Sequence, residues 1–408
     1  YLPGKNAGDC RIAVIEGVMG YYDGVGGTTS KASAYDLASA TDTPVIFIVN
    51  SKGMSVSLAA YIKGFLEYKK DSRIRGVILN QMSPMLYPWM KSLLEKELGM
   101  KVLGYVPKAE DCVIESRHLG LVLPDEIPQL QENLKKLAGI LEETLDMEGI
   151  LALADSAPDL ETNLSDKERK GYIWKERGEE EKHKRPLRIG VARDEAFCFF
   201  YEDNFQLLKK MGAELIFFSP MRDSRLPKEL DGLLLYGGYP ELNGAVLEKN
   251  SSIRTEIAEK IKEGMPCMAE CGGFMYLHEE MEGMDGAVYR MAGVIPGKAF
   301  RTPRLSRFGY VTLSQKKPVL GCEDLGAVPA HEFHYFDSEN CGEDFLARKP
   351  ESSRSWNCIH GTENLLAGFP HLYYYGNPKV PEAFLKQCAA YRTRMRQAAE
   401  ADGCRRKS

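Results

Sequence analysis

The chain has 408 residues, which exceeds the size of one ordinary hydrophobic core and predicts two domains. Its 44% hydrophobic and 27% charged residues, without an apolar run of membrane-spanning length, predict a soluble, cytoplasmic protein with no membrane partner. A net charge of -5 gives no basic field, so small-molecule substrates are expected rather than nucleic acid. The ten cysteines are dilute and lack zinc-site spacing, which favours reduced thiols.

The first half alternates short apolar runs with amphipathic stretches, a pattern typical of βαβ units that form a parallel sheet. Strands are predicted at residues 11–15, 45–49, 76–79 and 102–105. Helices are predicted at residues 30–40, 55–68, 89–98 and 127–145. Together these elements indicate a first α/β domain at residues 1–158.

The stretch 159–186 is dominated by charge and loses apolar periodicity, which predicts an interdomain linker. A second α/β domain is expected at residues 187–390. Its apolar strands are predicted at residues 187–191, 215–218, 232–236 and 267–269. The composition of residues 287–369 favours antiparallel strands and loops. Helical composition returns at residues 381–399, and residues 391–408 are interpreted as a helix end with a frayed tail from Gly403.

Cys271 is the strongest candidate for a catalytic nucleophile. It follows an apolar strand and precedes Gly272 and Gly273, which is the layout of a nucleophile elbow. Glycine suits the neighbouring positions because a sharp strand-to-helix turn crowds the backbone while the nucleophile projects above the sheet. The alternative is a buried cysteine beside a glycine turn, and the motifs around it favour the nucleophile.

A thiolate nucleophile also needs a proton shuttle and a place for an oxyanion. Gly237 and Gly238 end an apolar strand, and their backbone N–H groups, with that of Gly272, are the predicted donors to a developing oxyanion. His371 is the predicted base, since a Cys/His pair need only be adjacent in space. A lone histidine is more often structural than catalytic, so alternatives stay open.

His331 and His334, in the sequence HEFHY, compete with His371 for a structural or substrate-binding role. In a strand, their spacing would put alternate side chains on one face. Metal binding by these two histidines lacks a third ligand by spacing.

Two carboxylates in the first domain are candidates for a nucleotide–metal site. Glu16 ends the predicted strand 11–15, as a Mg²⁺ ligand would at the carboxyl edge of a parallel sheet. Asp23 lies on a Gly-rich loop that could reach the same crevice, and a solvated turn residue is its alternative. Lys52 follows a strand where a cation could meet phosphate, although it could equally be solvated.

The motif order resembles that of a known family. The matching segments of the second half are Gly237 to Glu241, Ala269 to Leu277, Arg307 to Tyr310, and His331 to Tyr335, with a late His371 beside aromatic residues. They are similar to the class I glutamine amidotransferase domain of cobyrinic acid a,c-diamide synthases. The segment Val14 to Gly24 and residues 115–120 are similar to the amidating domain of that family.

This resemblance implies an α/β fold in two parts. The first is a P-loop NTPase-like parallel-sheet domain, similar to dethiobiotin synthetase and N-terminally incomplete. The second is a class I glutamine amidotransferase-like α/β domain. The likeness covers about residues 10–390. It implies a carbon–nitrogen ligase of cobalamin biosynthesis that amidates the a and c carboxylates of cobyrinic acid, using ATP and glutamine.

The same resemblance implies roles for individual residues. Glu16 would help to hold Mg²⁺ with ATP, and Asp23 would lie near the carboxylate being activated. Asn80 and Pro107 match positions that line the nucleotide base in the family.

The third member of the expected catalytic triad is in doubt. Class I amidotransferases generally carry a Glu two residues after the histidine, and here that position is Tyr373. The cobyrinate-type branch resembles this sequence in lacking that Glu, so a dyad of Cys271 and His371 is expected.

One departure from the P-loop class is clear: no G-x-x-x-x-G-K-[ST] motif occurs in the sequence. In the family that loop lies well before the segment that matches Arg11, and the chain begins with Tyr1 rather than Met. The simplest interpretation is an N-terminally truncated chain, for which weak or absent ATP turnover is expected.

Three alternatives stay open at this point. The same chemistry could act on another tetrapyrrole, such as a nickel sirohydrochlorin, or on a different carboxylate. The chain could instead be a cysteine hydrolase with a remnant nucleotide domain, or a non-catalytic subunit with a binding role. The candidate assembly is a homodimer.

Overall fold

The computed structural model describes residues 10–114, 127–159, 185–305 and 307–405. The chain divides into two compact units, Tyr1–Leu164 and Ser165–Ser408. The predicted linker at 159–186 lies almost wholly outside the described residues and stays a prediction. The family motif at residues 115–120 lies outside them too.

The first unit is built on a parallel sheet. Its strands are β1 (Val45–Asn50), β2 (Ile74–Asn80) and β3 (Lys101–Val106). They pair in the order β1-β2-β3. The helices are α1 (Ala34–Ala40), α2 (Ser57–Glu67), α3 (Tyr87–Leu98), α4 (Leu130–Thr144) and α5 (Met147–Asp155). Three predicted strands and four predicted helices are therefore confirmed, with shifted boundaries, and α5 is an addition.

The apolar character of β2 explains the core of this unit. Val77 and Leu79 of β2 are buried together with Leu58 and Ile62 of α2 and Leu94 of α3. A central strand of a parallel sheet is covered on its faces by helices, so it reads as a nearly continuous apolar run. Helix α3 ends at Gly99, whose φ of 59° is the left-handed conformation that glycine adopts readily at a helix terminus.

The strand predicted at residues 11–15 is wrong. These residues are irregular, and the side chains of Val14 and Ile15 are 91% and 44% exposed. An apolar run becomes a strand only where a neighbouring strand pairs with its backbone. Among the described residues no strand pairs with this segment, so its apolar pattern alone does not make it a strand.

The second unit contains more strands, in three sheets. In chain order they are β4 (Leu187–Ala192), β5 (Ala213–Phe218), β6 (Gly232–Leu235), β7 (Cys267–Glu270), β8 (His278–Glu282), β9 (Val288–Arg290), β10 (Ile295–Arg301), β11 (Arg307–Gln315), β12 (Val328–His334), β13 (Phe336–Ser338), β14 (Phe345–Arg348), β15 (Ser355–Cys358), β16 (His360–Gly361), β17 (Leu365–Gly368) and β18 (His371–Leu372). The helices are α6 (Glu202–Lys210), α7 (Gly244–Lys249), α8 (Ser251–Lys262), α9 (Gly272–Tyr276) and α10 (Lys379–Arg405).

The largest sheet has the order β16-β17-β7-β6-β4-β5 and is parallel except for β16. A five-stranded antiparallel sheet has the order β15-β14-β11-β12-β18. A four-stranded sheet has the order β13-β10-β8-β9. The predictions of four apolar strands and of a later, mainly antiparallel region are confirmed.

The predicted frayed tail is partly wrong. Helix α10 continues through Gly403 to Arg405, and residues 406–408 lie outside the described part of the chain. Across the described helices, none has both the length and the apolar composition of a membrane span.

Candidate active site

Cys271 occupies a strained turn between β7 and α9. Its φ and ψ are 47° and -105°, a positive φ that residues other than glycine rarely adopt. Its N–H donates to the carbonyl of Gly368 at 2.9 Å, and its carbonyl accepts from Met275 N at 2.9 Å. The expected strand–turn–helix elbow is therefore present, and Cys271 is 8% exposed at the carboxyl end of the parallel sheet.

Gly237 lies between the two predicted catalytic side chains. A Cβ at Gly237 would sit 2.6 Å from His371 Cε1 and 3.6 Å from Cys271 Cβ. A Cβ at Gly272 would sit 3.1 Å from the amide nitrogen of Gly238. The structure thus brings the three predicted glycines together around Cys271 and His371, with no room for side chains.

His371 lies on β18, directly opposite His331 of β12 in antiparallel register. The side chain is 6% exposed, and the ring of Phe199 meets it edge-on at a centroid distance of 4.7 Å. Burial lowers the pKa of His371, but Cys271 and Glu270 together raise it to about 10. The imidazole can therefore hold a proton beside the sulfur at neutral pH.

Glu270 is a site residue that the sequence did not single out. Its Oε2 lies 3.7 Å from His371 Nδ1 and accepts from Leu372 N at 3.3 Å. Burial raises the pKa of Glu270, whereas His371 lowers it. The available signal was a carboxylate ending a short apolar strand, because a buried charge requires a partner.

Tyr373 does not take the place of the missing Glu. Its hydroxyl donates to Asp203 Oδ2 at 2.9 Å. The next residue of α6, Asn204, is fully buried and donates from Nδ2 to Leu372 O at 2.8 Å. Asn204 Oδ1 also accepts from Tyr374 N at 2.9 Å. Helix α6 therefore fixes the backbone that carries His371.

The two competing histidines lie on opposite faces of β12. His331 is half-buried and meets the rings of Phe308 and Tyr310 edge-on. His334 is buried, stacks on Phe369 at 4.0 Å, and its Nδ1 is 2.6 Å from the carbonyl of Phe336. Because they lie on opposite faces, the two histidines cannot bind one metal ion together. In the described ranges no group of three or more His, Cys, Asp or Glu residues is suited to a metal.

Three predicted residues of the first unit share one edge of its sheet. Asn80 ends β2, Lys52 follows β1, and Pro107 follows β3. The carbonyl of Asn80 accepts from Ser51 N at 2.8 Å, which holds the first two strand ends together. Since parallel strands present ligands at their carboxyl ends, this edge is the candidate nucleotide site.

The carboxylates expected at that edge are not assembled there. Glu16 is exposed on an irregular segment rather than at a strand end. The loop of Asp23 is anchored by Tyr21, whose hydroxyl donates to Ser72 O at 2.6 Å, just before the start of β2. No contact of the described residues brings Asp23 to Glu16 or to the strand end at Asn80, so the shared crevice and its Mg²⁺ site stay predictions.

Two family models match the chain. A CobB/CobQ-like glutamine amidotransferase domain matches residues 188–377, and an AAA domain matches residues 4–116. The second unit is a glutamine amidotransferase domain, and the first is of the nucleotide-binding P-loop type.

Two curated relatives, both named cobyrinate a,c-diamide synthase, narrow this class. The protein of Caldanaerobacter subterraneus subsp. tengcongensis is 36% identical over 95% of this chain and 83% of its own length. That of Thermoplasma volcanium is 34% identical over 93% and 80%. The chain belongs to the cobyrinate a,c-diamide synthase family.

Solved structures add little to this assignment. A glutamine amidotransferase from Thermotoga maritima is 13% identical and has a TM-score of 0.31. The match covers 53% of this chain and 86% of that one, and so weak a likeness supports no conclusion.

Proposed function

We propose that this chain amidates the a and c carboxylates of cobyrinic acid in cobalamin biosynthesis, using glutamine as nitrogen donor and ATP to activate the carboxylate. The observation that carries the proposal is the buried pairing of Cys271 with His371 around Gly237. Membership of the cobyrinate a,c-diamide synthase family supports the choice of acceptor.

Glutamine hydrolysis follows from the chemistry of this pair. Cys271 Sγ attacks the side-chain amide carbon of glutamine, while the N–H groups of Gly238 and Gly272 stabilise the oxyanion. The C–N bond then breaks as His371 gives its proton to the departing nitrogen, leaving a thioester and ammonia. Water, deprotonated by His371, cleaves the thioester and releases glutamate.

Amidation requires activation because a carboxylate is a poor electrophile. In the proposed reaction the γ-phosphoryl group of ATP passes to a carboxylate oxygen, and ammonia displaces phosphate from the resulting acyl phosphate. Lys52, Asn80 and Pro107, at the carboxyl edge of the first sheet, are the proposed nucleotide contacts.

Some of the sequence predictions are neither supported nor tested by the structure. Mg²⁺ bound by Glu16, and Asp23 near the acceptor, stay predictions for which the described residues offer no assembled site. A homodimer and a cytoplasmic location also stay predictions.

Substitution Cys271→Ser tests the proposal in protein expressed from the complete gene. We expect glutamine-dependent amidation of cobyrinic acid to disappear while amidation with added ammonia and ATP survives, because the serine cannot form the thioester. Product mass and glutamate release are measured. The control is Cys267→Ala, which removes another buried thiol four residues earlier in the chain and should keep both activities.

Other outcomes point to the alternatives. Loss of both activities in folded Cys271→Ser protein would count against separate sites. Glutamine hydrolysis that is never coupled to ATP would indicate a simple hydrolase. Amidation of a nickel sirohydrochlorin, but not of cobyrinic acid, would replace the acceptor.

A further inference from the structure

We infer that Glu270 is the positioning residue for His371, taking from the nucleophile strand the role that other class I amidotransferases give to a Glu beyond the histidine. This inference rests on the proposed glutaminase role of Cys271 and His371. It adds a third member to what the sequence presents as a dyad.

Geometry is the first support. Glu270 is the last residue of β7, and its Oε2 is 3.7 Å from His371 Nδ1, with the two side chains 4% and 6% exposed. The same oxygen accepts from Leu372 N at 3.3 Å, so it is bound to the backbone next to the histidine. Oε1 has no hydrogen-bond partner within the described residues. One carboxylate thus faces the imidazole ring and is hydrogen-bonded to the strand that carries it.

Charge is the second support. A carboxylate facing Nδ1 favours the imidazolium and holds the ring so that its other nitrogen remains for proton transfer. Burial lowers the pKa of His371, and the groups that raise it are Cys271 and Glu270. Other titratable groups near the imidazole or the carboxylate are His331, His334, Tyr201, Tyr236 and Tyr374.

These neighbours leave Glu270 as the carboxylate that acts on His371. Burial lowers the pKa of His331 and of His334, which keeps both rings neutral. Burial raises the pKa of the three tyrosines, which keeps their hydroxyls protonated. Tyr373 is bound to Asp203 instead.

The test is Glu270→Gln, which keeps the shape and the acceptor for Leu372 N but removes the charge. Removing a negative charge makes the imidazolium easier to deprotonate, so the pKa of His371 should fall by about 1 to 3 units. The alkaline limb of kcat for glutamine hydrolysis should move to lower pH by a similar amount. We expect kcat to fall roughly 10- to 100-fold, with KM changed less than about threefold.

The control is Asp231→Asn, which removes another buried carboxylate at the opposite, amino end of the neighbouring strand β6. Asp231 accepts from Arg188 N at 2.8 Å and lies 3.8 Å from Arg392. This variant should be less stable but should keep the pH profile of kcat. Ring-proton NMR titration of His371 supplies the readout that does not depend on turnover.

A folded Glu270→Gln protein with an unchanged His371 titration and an unchanged kcat profile would overturn the inference. If that variant does not fold, His371 is titrated in Cys271→Ser protein, where Glu270 alone opposes burial. A pKa above the ordinary 6.5 supports the inference, and a pKa at or below it overturns it. Wild-type protein that hydrolyses no glutamine would refute the proposed function instead, while the titration still reports on Glu270.

Discussion

At the scale of single residues, the site depends on two backbone positions that tolerate little change. Cys271 holds a positive φ, a conformation that costs about 1–3 kcal/mol and persists only where the surroundings enforce it. The hydrogen bonds from Cys271 N to Gly368 O and from Met275 N to Cys271 O provide part of that enforcement. Gly237 is the second position, because a side chain there would collide with His371. The turn therefore sets the reacting geometry before any substrate binds.

Substitution Gly237→Ala should disable glutamine hydrolysis without unfolding the protein. The added Cβ would lie 2.6 Å from His371 Cε1, so the ring must move away from Cys271. A displacement of about 1 Å can cost about 100-fold in rate, and we expect at least that loss in kcat, measured by glutamate release. Ammonia-dependent amidation should be retained.

Gly139→Ala is the matched control, since a Cβ there meets nothing within 4 Å. This change on α4 should leave hydrolysis intact and raise helix stability slightly. Wild-type kcat in Gly237→Ala protein would contradict the close packing described for the elbow.

The residue scale also shows what a sequence can reveal about a site. The sequence predicts Cys271 as nucleophile because glycines after an apolar strand indicate a sharp turn, and it predicts His371 as base because this histidine lies downstream of the cysteine. Both roles stay proposals. Glu270 was not predicted, because its partner lies about a hundred residues further along the chain and only tertiary packing brings them together.

At the scale of elements, helix α6 stabilises the short strand β18. A two-residue strand makes few backbone hydrogen bonds to its neighbour, and the side chain of Asn204 adds one to Leu372 O and one from Tyr374 N. Asn204→Ala should therefore destabilise the protein by about 2–3 kcal/mol and lower kcat for glutamine hydrolysis about tenfold. Denaturant unfolding and glutamate release measure the two effects.

Asn364→Ala separates stability from positioning. Asn364 Nδ2 donates to Ile261 O at 2.8 Å and to Met265 O at 3.3 Å, near the amino end of β7 and away from the elbow. This variant should lose comparable stability and keep its kcat at temperatures where it is folded. Equal losses of kcat in both variants would show that α6 does not position His371.

Element prediction succeeded where burial enforces the pattern. Strands β2 and β7 are almost wholly buried, so their sequences are short apolar runs. These runs suffice to predict both strands from the sequence. Residues 11–15 have a similar composition, but no paired strand was found for them in the described chain. For β12 the sequence predicts only an antiparallel region and a strand that carries the two histidines. In the structure, alternation along β12 places His331 and His334 on opposite faces.

At the scale of the whole molecule, the two units have separate hydrophobic cores. Ile62 on α2 belongs to one core and Ile257 on α8 to the other, and both side chains are fully buried. An Ile→Ala cavity costs about 2–5 kcal/mol, felt mainly by the core that contains it. Ile257→Ala should lower the temperature at which glutamine hydrolysis is lost, whereas Ile62→Ala should leave it near the wild-type value.

The measurement is residual glutamate release after heating, compared with calorimetric unfolding of the same samples. Each variant serves as the control for the other, since the residue type, the burial and the helical setting are matched. An equal drop in the inactivation temperature of both variants would indicate one cooperative core instead of two.

The short connection between β17 and β18 places His371 close to the strand that carries the nucleophile. Strand β17 lies beside β7, and only Phe369 and Pro370 separate it from His371. The nucleophile Cys271 therefore follows one strand of a parallel pair, and the acid His371 comes shortly after the other strand, although the two residues are far apart in the sequence. The alignment of Cys271 with His371 therefore depends on the pairing of β7 with β17, and not on the length of the segment that separates the two residues in the sequence.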